Sequence, residues 1–192
     1  MNLVELNTDT TYFRTDKNST HSYLPLYDDL LKPIKDTAIN ILEIGVRHGG
    51  SIKLWLDYFT KGTIYGCDIV GEGSERTEKL KLIGKNRVVL KLDEDAYTEQ
   101  YVKTNFENKK FDFLLDDGPH TLDSQIKFIE LYSPLLSENG ILIIEDVADI
   151  KWLKRLKDKT PEHLKKYIKT YDLRKNKRRY DDIVFTIDKV VR

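Results

Sequence analysis

The sequence predicts an α/β protein with a doubly wound, mostly parallel sheet of seven strands, the last two of which form a C-terminal antiparallel hairpin. Two observations predict this fold class. Five short apolar runs alternate with segments of helical periodicity, which is typical of parallel strands that are buried on both faces. Two further β-like runs then flank a charged tract, residues 174–182, and this pattern indicates a hairpin.

The first β-α-β unit, Asn40–Ile69, has the strongest turn signals in the chain. The apolar run Ile41–Ile44 is followed by three glycines, and Ile52–Phe59 then carries apolar residues at helical spacing. A second apolar run, Thr63–Cys67, ends at Asp68. Two strands joined by one helix over so short a span are predicted to be parallel, with a right-handed crossover.

The remaining elements continue this alternation, and the whole chain, 1–192, is predicted to be a single domain. Residues 1–36 are expected to form an N-terminal covering segment, and residues 37–192 a Rossmann-like core. The polar run 11–21 is expected to be a surface loop. Further strands are predicted at Arg87–Leu92, Phe111–Asp116, Ile141–Ile144, Tyr167–Leu173 and Ile183–Val190; helices at His21–Leu31, Glu72–Leu82, Tyr97–Phe106, Thr121–Leu135 and Asp149–Asp158; and a turn at Asn139–Gly140.

Composition narrows the class of protein. The 32 basic residues balance the 32 acidic residues among 192, so no general polyanion partner is implied. The one cysteine, Cys67, lies in a predicted buried strand, which favours a reducing compartment over a disulfide framework. No apolar run reaches the length of a membrane span, and a cytoplasmic protein is expected.

The glycine turn and Asp68 indicate a binding site for an adenosine-containing cofactor. Glycine lets the backbone approach a ligand, and an acid that closes the second strand can accept hydrogen bonds from ribose hydroxyls. Asp68 follows Gly45 by 23 residues, as such a site requires. The turn reads EIGVRHGG, however, with Arg47 where a nicotinamide-cofactor fingerprint has its second glycine. S-adenosylmethionine, which has no phosphate, is the alternative; tight packing without a ligand is another.

Carboxylates cluster at the predicted ends of the fourth and fifth strands. Asp117, Glu145 and Asp146 are expected to lie close together there, because neighbouring strands are about 4.8 Å apart. Such a group holds a proton or binds a hard divalent ion such as Mg²⁺, unless the acids are only helix caps and solvated strand ends. His120, just before a predicted helix, is expected to be neutral and to act as a general base.

Four segments resemble the class I S-adenosylmethionine-dependent methyltransferases, and most of all the metal-dependent sugar O-methyltransferases of the macrocin and mycinamicin type. TDKNSTHSYLPLYDDLL is similar to the family's entry pattern, and LEIGVRHGGSIKLWLDYF to its first motif. IYGCDI is similar to its ribose-binding strand, and DDGPH with GILIIEDV to its D-x-x-H and E-D pairs. The order and spacing of the four make the resemblance fairly specific.

The resemblance implies a Rossmann-like methyltransferase domain that methylates a sugar hydroxyl. It implies S-adenosylmethionine and Mg²⁺ or Mn²⁺ as cofactors, Asp117, Glu145 and Asp146 as metal ligands, and His120 as the catalytic base. Cofactor-binding residues are expected at Glu43, Gly45, Arg47, His48, Gly49, Ser51, Asp68, Asp93 and Asp116. Thr15, Asp16, Lys17, His21 and Tyr23 are expected to form a lid over substrate or cofactor.

The chain departs from the family in two ways. Pro119 precedes the histidine where Gly or Ser is usual, and the chain is short, which favours a simple glycan, nucleotide sugar or glycolipid over an intact macrolide. A glycan or other small-molecule acceptor is the expected partner, and the oligomeric state, including a homo-oligomer, stays open.

Two alternatives remain beside a sugar methyltransferase. From Lys151 to Tyr180 the chain holds 13 Lys or Arg residues against 3 acids, and this basic end is either a solvated turn or a patch that binds RNA or another anionic substrate. A nucleic-acid partner ranks second because it leaves the carboxylates and His120 unexplained. A nucleotide-binding module without catalysis is the other alternative.

Overall fold

Seven strands form one mixed sheet in the computed structural model, which describes residues 1–7, 13, 15–70 and 75–192. The strands are β1 (Asn40–Ile44), β2 (Thr63–Asp68), β3 (Val88–Leu92), β4 (Phe111–Asp116), β5 (Leu136–Ile144), β6 (Ile168–Asp172) and β7 (Ile183–Asp188). Their spatial order is β3-β2-β1-β4-β5-β7-β6, and β7 runs antiparallel to both of its neighbours. The predicted fold class is therefore confirmed, including the C-terminal antiparallel hairpin.

Helices cover both faces of this sheet. They are α1 (Leu3–Leu6), α2 (Tyr23–Leu31), α3 (Gly50–Tyr58), α4 (Glu75–Gly84), α5 (Glu99–Phe106), α6 (Leu122–Tyr132), α7 (Trp152–Lys159) and α8 (Arg174–Lys177), with 3₁₀ turns at Lys32–Ile34, Lys85–Arg87, Ser133–Leu135 and Glu162–Tyr167. Side-chain caps set three of the starts: Thr98 accepts from Tyr101 N, Thr121 forms a capping box with Ser124, and Asn2 forms one with Glu5.

The two faces of the sheet bury two separate hydrophobic cores. Along β4, Phe113 and Leu115 pack with α1, α2 and α3 on one face, while Leu114 packs with α5 and α6 on the other. Successive strand residues point to opposite faces, so a strand covered on both sides needs an uninterrupted apolar run. This requirement explains why the central strands were visible in the sequence.

The direction of chain winding reverses at β1. From β1 the chain proceeds outward through β2 and β3, and it then returns to β4 on the opposite side of β1. Doubly wound sheets bind ligands in the crevice beyond the carboxyl ends of strands at such a reversal. The fold therefore places the ends of β1 and β4, with their glycine and acidic residues, at the expected binding position.

Several predicted boundaries differ from the structure. Asn139–Gly140 lies inside β5 rather than in a turn, because the β4–β5 register shifts there and absorbs the extra residues. The helix predicted from Asp149 begins at Trp152, since Asp149 Oδ1 instead accepts a hydrogen bond from Lys151 N in a preceding turn. The start of the predicted helix at Glu72 lies outside the described residues, and α4 begins at Glu75.

The prediction of a polar surface loop over residues 11–21 is confirmed only in part where the structure describes it: residues 15–21 contain no helix or strand, and Asp16, Ser19 and Thr20 are exposed, but four other residues are buried. These are Phe13, Thr15, Lys17 and His21. The polar members have partners inside the protein, which removes the cost of burying them. Within the described part of the chain, no helix has both the length and the apolar character needed to cross a membrane.

Candidate functional site

A cavity of about 1170 Å³ opens at the carboxyl ends of β1, β2 and β4. Its wall includes Gly45 and Asp68 from the first β-α-β unit, and Asp117, His120 and Asp146 from the ends of β4 and β5. Residues that the sequence assigned to cofactor and to chemistry therefore share one space. Its volume is large enough for a cofactor together with a small substrate.

Asp68 fixes the shape of the glycine turn. Its Oδ2 accepts hydrogen bonds from the backbone N–H groups of Val46 (2.8 Å) and Arg47 (2.6 Å), and its Oδ1 accepts from Val70 N (2.8 Å). These bonds hold Arg47 in the left-handed region, with φ of 47°. A carboxylate oxygen has a second lone pair, so Asp68 can still accept a hydrogen bond from a ligand in the cavity.

Gly45 is required where β1 passes β4. Its φ is +98°, and a Cβ built on it would lie 1.8 Å from the carbonyl oxygen of Asp117. We expect Gly45→Ala to lower the free energy of unfolding by about 1–3 kcal/mol, because the backbone of β4 must shift. Denaturant unfolding at constant m-value would measure the change.

Gly49 provides the matched control for that substitution. Its φ is also positive, +76°, but an added Cβ would meet the end of the Leu80 side chain instead of backbone. A side chain can move where a strand cannot, so Gly49→Ala should cost less than Gly45→Ala. Equal losses from the two variants would contradict the argument from the backbone contact.

Lys17 lies at the centre of the carboxylate cluster. Its Nζ donates to Asp117 Oδ2 and Glu145 Oε1, both at 2.5 Å, and lies 3.5 Å from Glu43 Oε1. The second oxygen of Glu145 accepts a hydrogen bond from the hydroxyl of Tyr27 at 2.6 Å. Lys17 is therefore a fully buried cation that links the ends of β1, β4 and β5, and its place in a lid stays a prediction.

The charges in this cluster shift one another's proton affinities. Burial lowers the pKa of Lys17, but the charges of Asp117, Glu145 and Glu43 outweigh it and raise the pKa well above 10.5. Burial raises the pKa of Asp117, and the opposing effects of Lys17 and His120 bring it down to about 2. Burial raises the pKa of Glu43 to about 7 and that of Glu145 well above its usual range. Asp117 is therefore the ionised partner of Lys17.

His120 lies between two carboxylates on the cavity wall. Its Nε2 is 3.1 Å from Asp117 Oδ1 and 3.6 Å from Asp146 Oδ2, and its side chain is 40% exposed. Burial lowers its pKa, but the hydrogen bond with Asp117 and the charge of Asp146 raise it to a net value above 6.5. The carboxylates therefore raise the pKa of the ring, whereas the helix N-terminus alone was expected to lower it.

His21 and Tyr23 form a wall behind Asp146. The hydroxyl of Tyr23 donates to Asp146 Oδ1 at 2.5 Å, His21 Nδ1 lies 3.3 Å from the same oxygen, and the two rings stack 4.9 Å apart. Both side chains are buried, and His21 also lines the cavity; their place in a lid stays a prediction. Thr15 and Asp16 do line the cavity.

The other predicted cofactor residues divide between the cavity wall and the layer behind it. Arg47, His48 and Ser51 line the cavity. Gly49 and Asp93 are not among the described residues that line the cavity. Gly49 begins α3, and the acids that follow β3 on the wall are Glu94 and Asp95 rather than the exposed Asp93.

Glu43 and Asp116 lie behind the wall and hold it in place. Glu43 Oε2 accepts a hydrogen bond from Trp55 Nε1 at 2.9 Å, and Asp116 accepts one from the hydroxyl of Tyr97. Burial raises the pKa of Asp116 to about 7. Both carboxyl groups therefore support the residues at the cavity instead of lining it.

The family model described as "Methyltransferase domain" matches residues 42–147, which is more than half of the chain. The chain belongs to the methyltransferase-domain family. The matched segment begins in β1 and ends just after Asp146, so it includes the glycine turn, Asp68 and all the carboxylates at the ends of β4 and β5.

Curated relatives of this methyltransferase domain act on sugars of natural products according to their names. The 8-demethyl-8-alpha-L-rhamnosyl tetracenomycin-C 2'-O-methyltransferase of Streptomyces olivaceus is 26% identical over 145 residues, covering 72% of this chain and 36% of its own. The demethylmacrocin O-methyltransferase of Streptomyces fradiae is 27% identical over 156 residues, covering 77% and 38%. The chain thus spans about a third of the length of the curated relatives that it matches.

Solved structures share the fold. The MycE methyltransferase from the mycinamycin biosynthetic pathway, in complex with Mg and SAH, superposes with a TM-score of 0.72 at 21% identity and covers 98% of this chain and 54% of its own. A putative caffeoyl-CoA O-methyltransferase from Staphylococcus aureus gives 0.57 at 21% identity, with 86% and 82% covered. At these identities the likeness concerns the fold of the methyltransferase domain.

Some of the predicted metal ligands of the methyltransferase domain lie where they could bind one divalent cation. One ligand atom each from Asp117, His120 and Asp146 lies within 4.8 Å of the others, and carboxylate oxygens suit hard cations. Glu145, the third carboxylate of the predicted metal set, has both oxygens engaged, by Lys17 and Tyr27. The structure therefore brings Asp117 and Asp146 together and places an ammonium group between Asp117 and Glu145.

Sequence reasoning missed several residues of this site. Tyr27, four residues after Tyr23 on α2, was visible as a helical pair, but its hydrogen bond to Glu145 was not. Tyr97, Asp181 and Asp182 gave no signal beyond ordinary polar residues in loops. Their roles depend on contacts between elements that are far apart in the chain.

Proposed function

We propose that this methyltransferase domain transfers a methyl group from S-adenosylmethionine to a sugar hydroxyl of a glycosylated small molecule, assisted by a divalent metal. One observation carries the proposal. A single cavity joins the turn formed by Gly45 and Asp68 to the polar group formed by Asp117, His120 and Asp146. The first group suits an adenosine-containing donor, and the second suits a hydroxyl acceptor.

The donor half of the site would bind through the first β-α-β unit. Asp68 offers carboxylate lone pairs for ribose hydroxyls, and the backbone at Gly45 allows close approach. Ser51, in the first turn of α3, and Glu94 and Asp95 after β3 add polar groups to the same wall. S-adenosylmethionine carries no phosphate, so Arg47 in place of a glycine is compatible with it.

His120 is the proposed proton acceptor. As the acceptor oxygen forms its bond to the methyl carbon, the carbon–sulfur bond breaks, the sulfonium becomes a thioether, and the hydroxyl proton passes to Nδ1 of the neutral His120 ring, because Nε2 carries the hydrogen that it donates to the ionised Asp117. Asp117 and Asp146 raise the pKa of this ring, which makes it a stronger base, and Asp117 Oδ1 orients it through the 3.1 Å contact.

Asp117, Glu145 and Asp146 are the proposed ligands of Mg²⁺ or Mn²⁺. Such an ion would supply Lewis acidity, gathering the acceptor hydroxyl and lowering its pKa. Asp117 is ionised at neutral pH, since its pKa is about 2, and an ionised carboxylate is what a hard cation requires.

The names of the relatives support a sugar as the acceptor. One is named for a rhamnosyl tetracenomycin, a second for an olivosyl-oleandolide and a third for demethylmacrocin. The cavity is also lined by Thr15, Asp16, Ser19 and His21 of the N-terminal segment, whose polar side chains suit a hydroxylated substrate.

A nucleic-acid substrate is less well supported. Of the five basic residues in the tract 174–179, three are engaged within the protein. Arg174 pairs with Asp172, Arg179 pairs with Asp181, and Lys177 donates to backbone oxygens of residues 18 and 19. Engaged cations contribute less to phosphate binding, which depends on free Lys and Arg side chains.

A thermal-shift measurement tests the proposed cofactor. S-adenosylhomocysteine at about 100 times its Kd should stabilise the domain by ~2.7 kcal/mol and raise Tm by roughly 5–10 °C. NAD at the same concentration serves as the control and should cause no shift. Absence of a shift with S-adenosylhomocysteine, or a shift with NAD alone, would contradict the proposed activity.

A further inference from the structure

A second cluster of metal-ligand side chains lies on the other side of Asp146 from His120. One ligand atom from each of His21, Asp146, Asp181 and Asp182 lies within 4.8 Å of the others, and all four residues are buried. Asp146 is shared between the clusters. Its Oδ1 lies 3.3 Å from His21 Nδ1, whereas its Oδ2 lies 3.6 Å from His120 Nε2.

Two carboxylate oxygens in this second cluster lack the partners that burial requires. Within the described part of the chain, Asp182 Oδ2 and Asp181 Oδ1 have no hydrogen-bond partner, although these residues are 0% and 8% exposed. Each such atom lowers the stability of the folded state, because a buried acceptor has lost its hydrogen bonds to water. An ion that completes the group would remove this cost.

The charge balance points the same way. Asp146, Asp181 and Asp182 bring three carboxyl groups together, and Arg179 contacts Asp181 at 3.0 Å. His21 is the group that contacts the other two, at 2.6 Å from Asp182 and 3.3 Å from Asp146. One guanidinium against three carboxylates leaves two negative charges, which a divalent cation would balance.

We propose that His21, Asp146, Asp181 and Asp182 hold a second divalent cation, which Asp146 bridges to the metal of the proposed methyl-transfer site. One imidazole nitrogen with three carboxylate oxygens suits Mn²⁺, Fe²⁺ or Zn²⁺ better than Mg²⁺, which prefers oxygen alone. The ion would join the segment before α2 to the segment before β7, on the wall of the cavity. The ion held by Asp117 and Asp146 is part of the proposed function, and the bridge through Asp146 rests on it. Binding of the second ion does not depend on the proposed function.

Manganese provides the probe. Equilibrium dialysis of the complete chain against Mn²⁺, with metal content determined by mass spectrometry, should give two ions per chain. Excess Mg²⁺ should displace one ion and leave the other, since the two sites differ in donor type. Asp182→Asn and His21→Gln should each bind a single Mn²⁺ ion, and excess Mg²⁺ should displace it. Asp117→Asn is the matched control in the first site. It should also bind a single Mn²⁺ ion, but excess Mg²⁺ should not displace that ion.

The outcomes separate this inference from the proposed function. A single ion in the wild-type protein, or two ions retained in both Asp182→Asn and His21→Gln, would overturn it. If those variants do not fold, the wild-type electron paramagnetic resonance spectrum decides, because two Mn²⁺ ions about 3.5–4 Å apart are exchange-coupled and isolated ions are not. Failure of S-adenosylhomocysteine to bind would overturn the proposed methyl transfer and leave the second ion unaffected.

Discussion

Replacing Lys17 by methionine should lower the free energy of unfolding by about 3–5 kcal/mol, the range found when one partner of a buried ion pair is removed. Lys17 Nζ contacts Asp117, Glu145 and Glu43, and its side chain is 1% exposed. Without the ammonium group, these carboxyl groups must take up protons or repel one another. Methionine keeps nearly the same length, so the loss reports the charge rather than a cavity.

Chemical unfolding with an unchanged m-value would measure this loss. Lys154→Met is the matched control, because Lys154 is 81% exposed and its partner Asp158 lies on the same helix. The control should leave the unfolding midpoint where it is in the wild type, since surface pairs contribute little. A Lys17→Met protein as stable as the control would show that the carboxylate cluster does not depend on this cation.

His120→Ala should lower the turnover number by about 10²–10⁴-fold, the usual contribution of a positioned general base. His120 Nε2 lies on the cavity wall, 3.1 Å from the carboxylate that orients it. Truncation removes the proton acceptor but leaves the donor half of the cavity in place. S-adenosylhomocysteine should therefore bind the variant with the affinity of the wild type, and the loss should appear in kcat.

His163→Ala is the control for this second prediction, because His163 is exposed in the 3₁₀ turn Glu162–Tyr167, away from the residues that line the cavity. Steady-state methyl transfer to a glycosylated acceptor would be compared for the two variants. Less than a tenfold loss in His120→Ala would assign proton removal to another group. A parallel loss of S-adenosylhomocysteine binding would indicate that the ring supports the cavity instead.

The sequence was sufficient to predict the sheet and the positions of its terminal acids. Strands buried on both faces need apolar runs, so β1, β4 and β5 were recognisable, and the acids at their ends could be expected to converge. The same logic failed at Asn139–Gly140. Leu136 before these residues and Ile141 after them both pair with β4, so Asn139–Gly140 is held inside β5 at the shift in register.

Lys17 was beyond prediction for a different reason. A lysine in a polar run is most often solvated, and no local pattern distinguishes one whose partners lie 100 and 128 residues away. His21 and Asp182 are likewise separated by 161 residues. Such pairs arise from tertiary packing, so the strand ends were predictable whereas the cation between them was not.

The position of β7 between β5 and β6 has a consequence for the order of folding. The last of the seven described strands in the sequence inserts between two earlier ones, so β6 has no neighbour in the sheet until β7 has been synthesised. β7 pairs with β6 across the hairpin connection 173–182 and with β5 across residues 145–182, so both pairings wait for the synthesis of this strand. Insertion of β7 also brings Asp181 and Asp182 to His21. Assembly of this part of the cavity wall is therefore a late event that marks completion of the sheet, and a nascent chain that lacks β7 should expose both edges that the strand later joins.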